Sequence, residues 1–502
     1  MKSLSIITSI LITLVVLLSL TACSEDEGDM IFDEIVAQVS DGETTDESIE
    51  VLEEPKSANN DDEIPPSATS DLSEILTILT DEIDTHLPYL AERFMSEHPD
   101  VQIEIERLGF FAHSQDISHQ IALTTRLLAD PPDIFNTAYF VFEKFAMDAV
   151  FVDLNEFIDG PSGIDRSNYF DNILRGAEID GSLYHLPMMV DMDTILPNKR
   201  LFESISKSTA NMRAITLDEY LAFYLMAVDA NPDESLLVAN NFNIMHIFKF
   251  EQVYDIEAGV VNANTPKMQE LLTLAHSIPT GRLVQFTPSY VAELFSGNFG
   301  ANSQVMDFYF DPTVNFMYDS HSGLLFPHVF FLQDHPDMQF GTPMHRMPNT
   351  GEVRFRSTIS PAILRESPNR DLAWEFIRFA MEYPNAIVTT LGRDYLQQHA
   401  FPVNKTMFES HLFYYLNTAM STLIWTESLD KDVVAPKREE MVAYAIYRYT
   451  ELVQMLTTEV RYNQATLNSI IYPDIYLFIT DRQDVYQTLA NIQNRLEIYI
   501  AE

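Results

Sequence analysis

Two pairs of carboxylates carry the clearest chemical capacity in this chain. Asp191 and Asp193 flank one methionine in MMVDMDTI, and Asp81 is followed at once by Glu82 in TDEID. Side chains two apart on a strand point the same way and lie a few ångströms from each other. That separation suits the acid and the nucleophile of a retaining glycosidase. The same oxygens, left ionised, accept short charged hydrogen bonds from ligand hydroxyls or from a cation, and so fix a ligand's orientation. For Asp81 and the nearby Asp84 a third role is open, capping a helix expected to start near Leu87. Other catalytic chemistry finds no foothold: the sequence holds no Gly-x-Ser-x-Gly elbow, metal-ligand helix or phosphate loop. Its 13 histidines are scattered, and His321, His328 and His335, seven apart, with His345 beyond them follow no recognised metal-ligand spacing. No metal and no cofactor is expected.

The elements that position these groups come after an unusual start. Lys2 supplies a short positive segment, and Ile6 to Leu20 is a fifteen-residue apolar run. A membrane-spanning helix needs about twenty residues, so the run suits a cleaved signal. It ends in Leu20-Thr21-Ala22-Cys23, which holds the only cysteine of the chain and resembles the bacterial lipobox. A lone cysteine makes no internal disulfide, and cleavage before it exposes an N-terminal thiol for lipid attachment. The expectation is a signal peptide over 1–22, acylation (diacylglycerol and palmitate) at Cys23, and residence on the extracellular face of the cell membrane. Residues 24 to 74 then carry 18 Asp or Glu against one base, Lys56. Such a segment buries too little apolar surface to offset its chain entropy, and like charges extend it, so 23–70 reads as an acidic disordered tether.

The remainder is too long for one ordinary core and is 46% hydrophobic and 11% aromatic over the whole chain, which indicates at least two globular lobes. A formal net charge of −45, from 75 acidic and 30 basic residues, argues against a nucleic-acid partner, whose phosphates need clustered Lys and Arg. From Glu74 the pattern turns regular. EILTILT has strand length, LPYLAERFMSEHP places Leu87, Leu90, Ala91, Phe94 and Met95 on one helix face, and VQIEIERLG alternates with Val101, Ile103 and Ile105 inward. Strand, helix and strand in about forty residues predict a βαβ unit and a parallel sheet. ISHQIALTTRLLAD predicts another helix, PPDIFN a short strand, and VFEKFAMDAVFVDLNEFID a further helix with its turn.

A series of segments then resembles one family. ADPPDIFN, VFVDLNEFID, YFDNILRGAEIDGSLYHLP, PNKRLFE, ITLDEYLAF, YDIEAGVVNANTPKMQELL, FGTPMHRMPNTGEVRFRSTISPAILRESPNRDLAWEFIRFAM, FPVNKTMFE and the closing TLANIQNRLEIYIAE follow the order seen in the extracellular solute-binding proteins of ABC importers, sugar-binding type, family 1, related to maltose-binding protein. The resemblance spans roughly Glu74 to Glu502. It implies an α/β, two-lobed periplasmic-binding-protein-like fold of type II, each lobe a mixed, mostly parallel sheet flanked by helices. Lobe 1 is expected over 71–188 plus 358–410 and lobe 2 over 189–357 plus 411–502, with crossings near Pro187 to Asp193, Arg354 to Ser360 and Ser410 to Thr418.

The resemblance further implies a binder, not an enzyme: a monomer that captures a small solute, a sugar or oligosaccharide, and docks on permease subunits. A receptor presenting ligand to a sensor and a secreted glycoside hydrolase are the alternatives. Ligand contacts are expected in the inter-lobe cleft, beyond the carboxyl ends of the strands. The candidates are Asp81 and Glu82 after the first strand and Asn136 and Tyr139 after PDIF, offering an amide for hydroxyls and a ring for a sugar's apolar face. Asp191 and Asp193 sit at the crossing, with Met188 and Met189 as an apolar wall or as core. His328, in HSGLLFPHVFF, and Trp425, in STLIWTESLD, complete the set, whereas Trp374 in DLAWEFIRF is expected in the core.

Overall fold

EILTILTD and VQIEIERL form the first two strands and run parallel in continuous register, from Glu74 beside Val101 to Asp81 beside Leu108. The computed structural model describes residues 74–81, 84–108, 117–138, 142–192, 194–197, 199, 212–230, 247–248, 251, 253–276, 318–320, 341, 344–348, 351–383, 400–425, 438–460 and 464–501. The first strand is β1 (Glu74–Asp81), followed by α1 (His86–Glu97), β2 (Val101–Leu108), α2 (Ile117–Ala129) and β3 (Ile134–Asn136). On α1 the residues spaced for one face, Leu87, Leu90, Ala91 and Phe94, are buried together with His86. The stretch expected as one helix with its turn is instead two short helices, α3 (Phe142–Met147) and α4 (Asn155–Ile158). Ala149, at a φ of 57°, ends the first, and Phe151 then bridges to Leu364. Next come α5 (Asp171–Gly176), β4 (Met189–Met192), β5 (Thr194–Leu196), β6 (Ala214–Thr216), α6 (Leu217–Ala230), β7 (Tyr254–Asp255), β8 (Val260–Val261) and α7 (Pro266–His276). The rest are β9 (Tyr318–Ser320), β10 (Met344–Met347), β11 (Arg354–Ile359), β12 (Pro361–Ile363), α8 (Arg370–Glu382), β13 (Phe401–Pro402), α9 (Lys405–Trp425), α10 (Arg438–Gln454), β14 (Thr458–Glu459), α11 (Gln464–Ile479) and α12 (Val485–Ala501).

Among the described residues three four-stranded mixed sheets organise these elements, beside the two-stranded β7-β8. The first has the order β12-β3-β1-β2, the second β6-β10-β5-β9 and the third β13-β4-β11-β14. The first is parallel except for β12, which runs against β3. Its strands alternate between two apolar clusters: Ile78, Ile134 and Ile363 enter the first core, while Leu79, Phe135 and Ala362 face a smaller cluster with Phe142 and Phe151. This double coverage is what a mostly parallel sheet requires. The first core continues through the third sheet into α8, α9 and α10, with Trp374, Leu412, Leu416 and Tyr449 among its members. Trp374 lies in the core as expected, its indole N–H donating to the Ser162 carbonyl at 3.0 Å. A separate core joins the second sheet to α6, α7, α11 and α12 through Ile195, Ile215, Tyr220, Leu272, Ile471 and Leu489.

Among the described residues the chain passes between these two cores at three places. Met192 of β4 belongs to the first core and Ile195 of β5 to the second; Met344 of β10 belongs to the second and Phe355 of β11 to the first. After β14 the chain leaves the first core, where Leu456 is buried, for the second, where Leu467 is buried. The segment from Ser410 to Thr418 falls inside α9, whose Phe408, Leu412 and Leu416 all belong to the first core. Between the cores, Arg213 beside β6 reaches Glu451 of α10 at 3.2 Å, and the His345 Nε2–H of β10 donates to the Leu452 carbonyl at 2.7 Å.

The third sheet is approached by α5 at Gly176, where backbone contact is close. A Cβ at this position would stand 2.7 Å from the Thr457 carbonyl oxygen and 2.8 Å from a ring carbon of Phe355. Backbone cannot swing aside as a side-chain end does, so Gly176→Ala must displace the strands it touches. Overpacking of this kind costs about 1–3 kcal/mol. Chemical denaturation of Gly176→Ala is expected to show a lower midpoint with an unchanged slope; a midpoint equal to the parent's would show that this contact yields freely.

Candidate functional site

The carboxyl ends of β1 and β3 meet the junction of β11 and β12 in a continuous buried polar chain. It begins at Asp84, which is buried and accepts backbone N–H bonds from His86 at 2.8 Å and Leu87 at 3.1 Å. Those are the otherwise unsatisfied donors at the start of α1, so Asp84 serves as its cap. Asp81 in turn accepts from the Asp84 backbone N–H at 2.7 Å. The Asp84 carboxylate also receives the Thr80 hydroxyl at 2.6 Å and the Asn136 amide at 3.3 Å. Burial, aided by the nearby Asp81 charge, pushes the Asp84 carboxyl up to about 6 despite these bonds.

Asn136 is the next link. Its amide donates to Thr80 Oγ1 at 3.2 Å as well as to Asp84, and its carbonyl accepts the Ser360 N–H at 2.9 Å. The side chain is buried and its polar atoms are spent within the protein, so it positions the strand ends. Thr137 follows, its hydroxyl 2.9 Å from the Ser360 carbonyl and 2.6 Å from His185 Nδ1. His185 stacks flat on Phe142, with ring centroids 4.2 Å apart, and its Nε2 lies 2.7 Å from Glu459 Oε2. The single Thr137 hydroxyl proton goes either to the Ser360 carbonyl, leaving its oxygen to accept from Nδ1–H, or to a bare Nδ1, leaving the carbonyl to the Thr137 backbone N–H alone. The second Glu459 oxygen accepts the Ser357 hydroxyl of β11. The chain thus ends on β14, at one of the three passages between cores.

A second polar feature lies on the strands of the first two passages. Asp191 of β4 stands directly opposite Arg356 of β11, and the guanidinium donates to both carboxylate oxygens at 2.9 and 3.1 Å. The pair is partly exposed, with 25% of the Arg356 side chain and 14% of the Asp191 side chain accessible. α12 of the second core also approaches α3, which flanks the smaller cluster. Glu143 of α3 lies close enough to Tyr499 for its charge to add to the burial that raises the Tyr499 hydroxyl, and Tyr499 packs edge-on against Tyr254 at 5.9 Å.

Of the sequence candidates, the structure brings Asp81 and Asn136 into one network and sets Asp191 in its ion pair. Glu82, Tyr139, Asp193, His328 and the lipidation residue Cys23 lie outside the described residues; Trp425 is the last residue of α9. Thr80, His185, Ser357, Arg356 and Glu459 emerge only in the fold, because each meets partners far away in sequence. Among the described residues no group of three or more His, Cys, Asp or Glu is arranged to hold a metal. No helix among them is long and apolar enough to cross a membrane.

Two expectations follow. Removing one member of a buried pair strands the other, at a cost of about 3–5 kcal/mol. Glu459→Ala is therefore expected to destabilise by that amount in denaturant titration, and Glu459→Gln, which keeps an acceptor for His185, by less than half as much; equal losses would rule out the pairing as the cause. The second concerns acid. Burial lowers His86 to about 4 and His411 of α9 to about 3. Below pH 6.5 the unfolded chain gains protons that these folded rings refuse, so their contribution falls as pH drops toward 4 and 3. Asp84, raised to about 6, acts oppositely, favouring the folded state in acid and losing that contribution as pH rises from 4 to 6. Two groups oppose one, so acidification from 6.5 to 4 is expected to destabilise through this set, and His411→Gln to flatten that slope; an unchanged slope would remove His411 from the account.

Residues 79–274 match the family model described as bacterial extracellular solute-binding protein. No curated protein sequence matches the chain. The fold is shared with an ABC substrate-binding protein from Listeria monocytogenes in complex with cycloalternan, at TM-score 0.50 and 14% identity over 86% of this chain and 99% of that one. It is shared equally with a proposed oligosaccharide periplasmic-binding protein from Synechococcus sp. MITs9220, at TM-score 0.52 and 14% identity over 85% and 99%. A de novo designed cysteine esterase, ECH19, also matches, at TM-score 0.52 and 15% identity over 86% and 99%. Residues 79–274 thus resemble the bacterial extracellular solute-binding family, and the chain shares the fold of these substrate-binding proteins at low identity.

Proposed function

We propose that the protein captures a carbohydrate between its two lobes and delivers it to the permease of an ABC importer, working as a lipid-anchored monomer without catalysis. The observation that carries this reading is the arrangement of two separate hydrophobic cores joined by three strand passages. Such a frame bends at its passages and closes on a ligand that touches both sides, whereas a ligand touching one side alone shifts nothing. The carbohydrate class draws on the cycloalternan bound by the Listeria protein and the oligosaccharide class named for the Synechococcus one.

The lobes of this reading are the first core with its sheet and the second core with its own. Contacts from the first lobe come from Asp81, Glu82 and Tyr139, with Asn136 holding their loops. Asp191 and Asp193 contribute at the passage, with Arg356 holding Asp191, and His328 and Trp425 complete the set. An acidic tether from Cys23 keeps the binder close to its permease and raises its effective concentration there.

A thermal-shift screen of the chain lacking residues 1–23 tests the substrate class against mono- and oligosaccharides, short peptides and polyamines. Saturation at a hundred times the dissociation constant is worth about 2.7 kcal/mol and raises the melting point. A saccharide is expected to be the stabiliser, and Tyr139→Ala to abolish its effect. Stabilisation by peptides or polyamines alone would overturn the carbohydrate class while leaving the fold intact. In cells, Cys23→Ser is expected to move the protein from the membrane fraction to the medium; retention would refute the lipid anchor.

A further inference from the structure

Asp84 holds more of the structure than the start of α1. Its carboxylate is buried and accepts on both oxygens: on Oδ1 the backbone N–H groups of His86 and Leu87, at 2.8 and 3.1 Å, and on Oδ2 the Thr80 hydroxyl at 2.6 Å and the Asn136 amide at 3.3 Å. An ionised carboxylate offers about four lone-pair positions, and here each has a donor. The arrangement is complete only for the ionised form.

A proton on this group must take one of the occupied positions. On Oδ1 it would break the cap of α1, which consists of two backbone bonds. On Oδ2 the Thr80 hydroxyl can turn and accept from the acid, because a hydroxyl both donates and accepts, whereas the Asn136 amide nitrogen can only donate. The amide bond is also the longest at this carboxylate, so it is the one given up. Among the described residues, the charged and titratable groups around this site are few. Asp81 of β1 accepts the Asp84 backbone N–H and by its charge adds to the burial that pushes the Asp84 carboxyl up to about 6. The His86 ring of α1 is held neutral by burial, which lowers it to about 4, and Arg107 of β2, beside Thr80 in the register, is exposed. From β3 and the junction of β11 and β12 come Asn136 and Ser360, which carry no charge.

What Asn136 loses on one side it transmits on the other. Its side-chain carbonyl accepts the Ser360 N–H at 2.9 Å, where β11 gives way to β12, and its register partner is Pro361 of β12. The two ends of an amide share one rigid plane, so release of the nitrogen lets the carbonyl swing. We propose that Asp84 and Asn136 form an acid-sensitive clasp: proton uptake by the Asp84 carboxylate displaces the Asn136 amide and thereby loosens the hold of β3 on the junction of β11 and β12. The clasp does not rest on the solute reading. Asp81 lies on the same strand end, so acid loosens the support of that proposed contact as well.

Amide hydrogen exchange of the full chain provides the test, read by mass spectrometry at single residues and corrected for the intrinsic pH dependence of exchange. Protection of the Ser360 N–H is expected to fall by about threefold or more from pH 7.5 to 5, with a midpoint near 6, and to recover on neutralisation. The helical amides of α6, in the second core, are expected to keep theirs. Asp84→Asn retains a side-chain oxygen that caps α1 and removes the titration; in it the Ser360 protection is expected to be low at both pH values. Constant protection of Ser360 in the parent chain overturns the proposal, whatever the variant does. So does a fall shared by α6, which would report unfolding of the whole chain. A pH response that survives in Asp84→Asn also overturns it, assigning the effect to His185 acting through Thr137 on the Ser360 carbonyl.

Discussion

The contact between His185 and Glu459, 2.7 Å long and nearly sealed from water, is the constraint around which the rest is arranged. A carboxylate taken out of water must find partners or impose a cost of several kcal/mol, and here it finds them on both oxygens. His185 must then satisfy its other nitrogen, which requires Thr137, and Thr137 stands where it does because its hydroxyl and its backbone N–H both reach the Ser360 carbonyl. Ser360 joins β11 to β12, and its own N–H is held by Asn136. One buried pair therefore fixes the end of β3, the turn between two strands of different sheets, and the strand at which the chain leaves the first core.

The same logic explains which segments could be read in advance. Asp133 of the PDIF motif accepts the Thr77 N–H and hydroxyl on one oxygen and the Ser367 hydroxyl on the other. Asp153 in VDLNEF accepts the N–H groups of Asn155 and Leu183, while Asp180 and Gly181, with φ of 49° and 77°, make the tight turn of DGSLY. At the start of α6, Thr216 and Glu219 cap each other reciprocally. These motifs are scaffold, and scaffold leaves a local signature because turns, caps and strand ends are decided within a few residues.

The polar chain itself left none. Thr80 and Asn136 are 56 residues apart, His185 and Glu459 are 274 apart, and Asp191 and Arg356 are 165 apart. A lone Glu before a helix or a lone His in LYHLP looks like any other until strands bring them together. Asp84 shows the opposite case: its capping role was visible as an alternative because the helix it caps begins two residues later. The third passage between cores was equally hidden. Apolar spacing shows that Phe408, Leu412 and Leu416 face a core, but it does not say which one.

The ion pair of Asp191 bears on the difference between binding and hydrolysis. A carboxylate nucleophile needs a lone pair aimed at the sugar, and a general acid needs a proton held in reserve. Asp191 has both oxygens committed to one guanidinium, in the two-pronged geometry that keeps a carboxylate ionised and fixed. What such a pair offers a ligand is a rigid, orienting arrangement of charge on strands that connect the two cores. Both partners sit on neighbouring strands of the third sheet, against the first core, so bending at the first two passages carries the pair as a unit. The carboxylate most suggestive of acid and base chemistry in the sequence is thus, once Arg356 is in place, the fixed half of an ion pair between two strands.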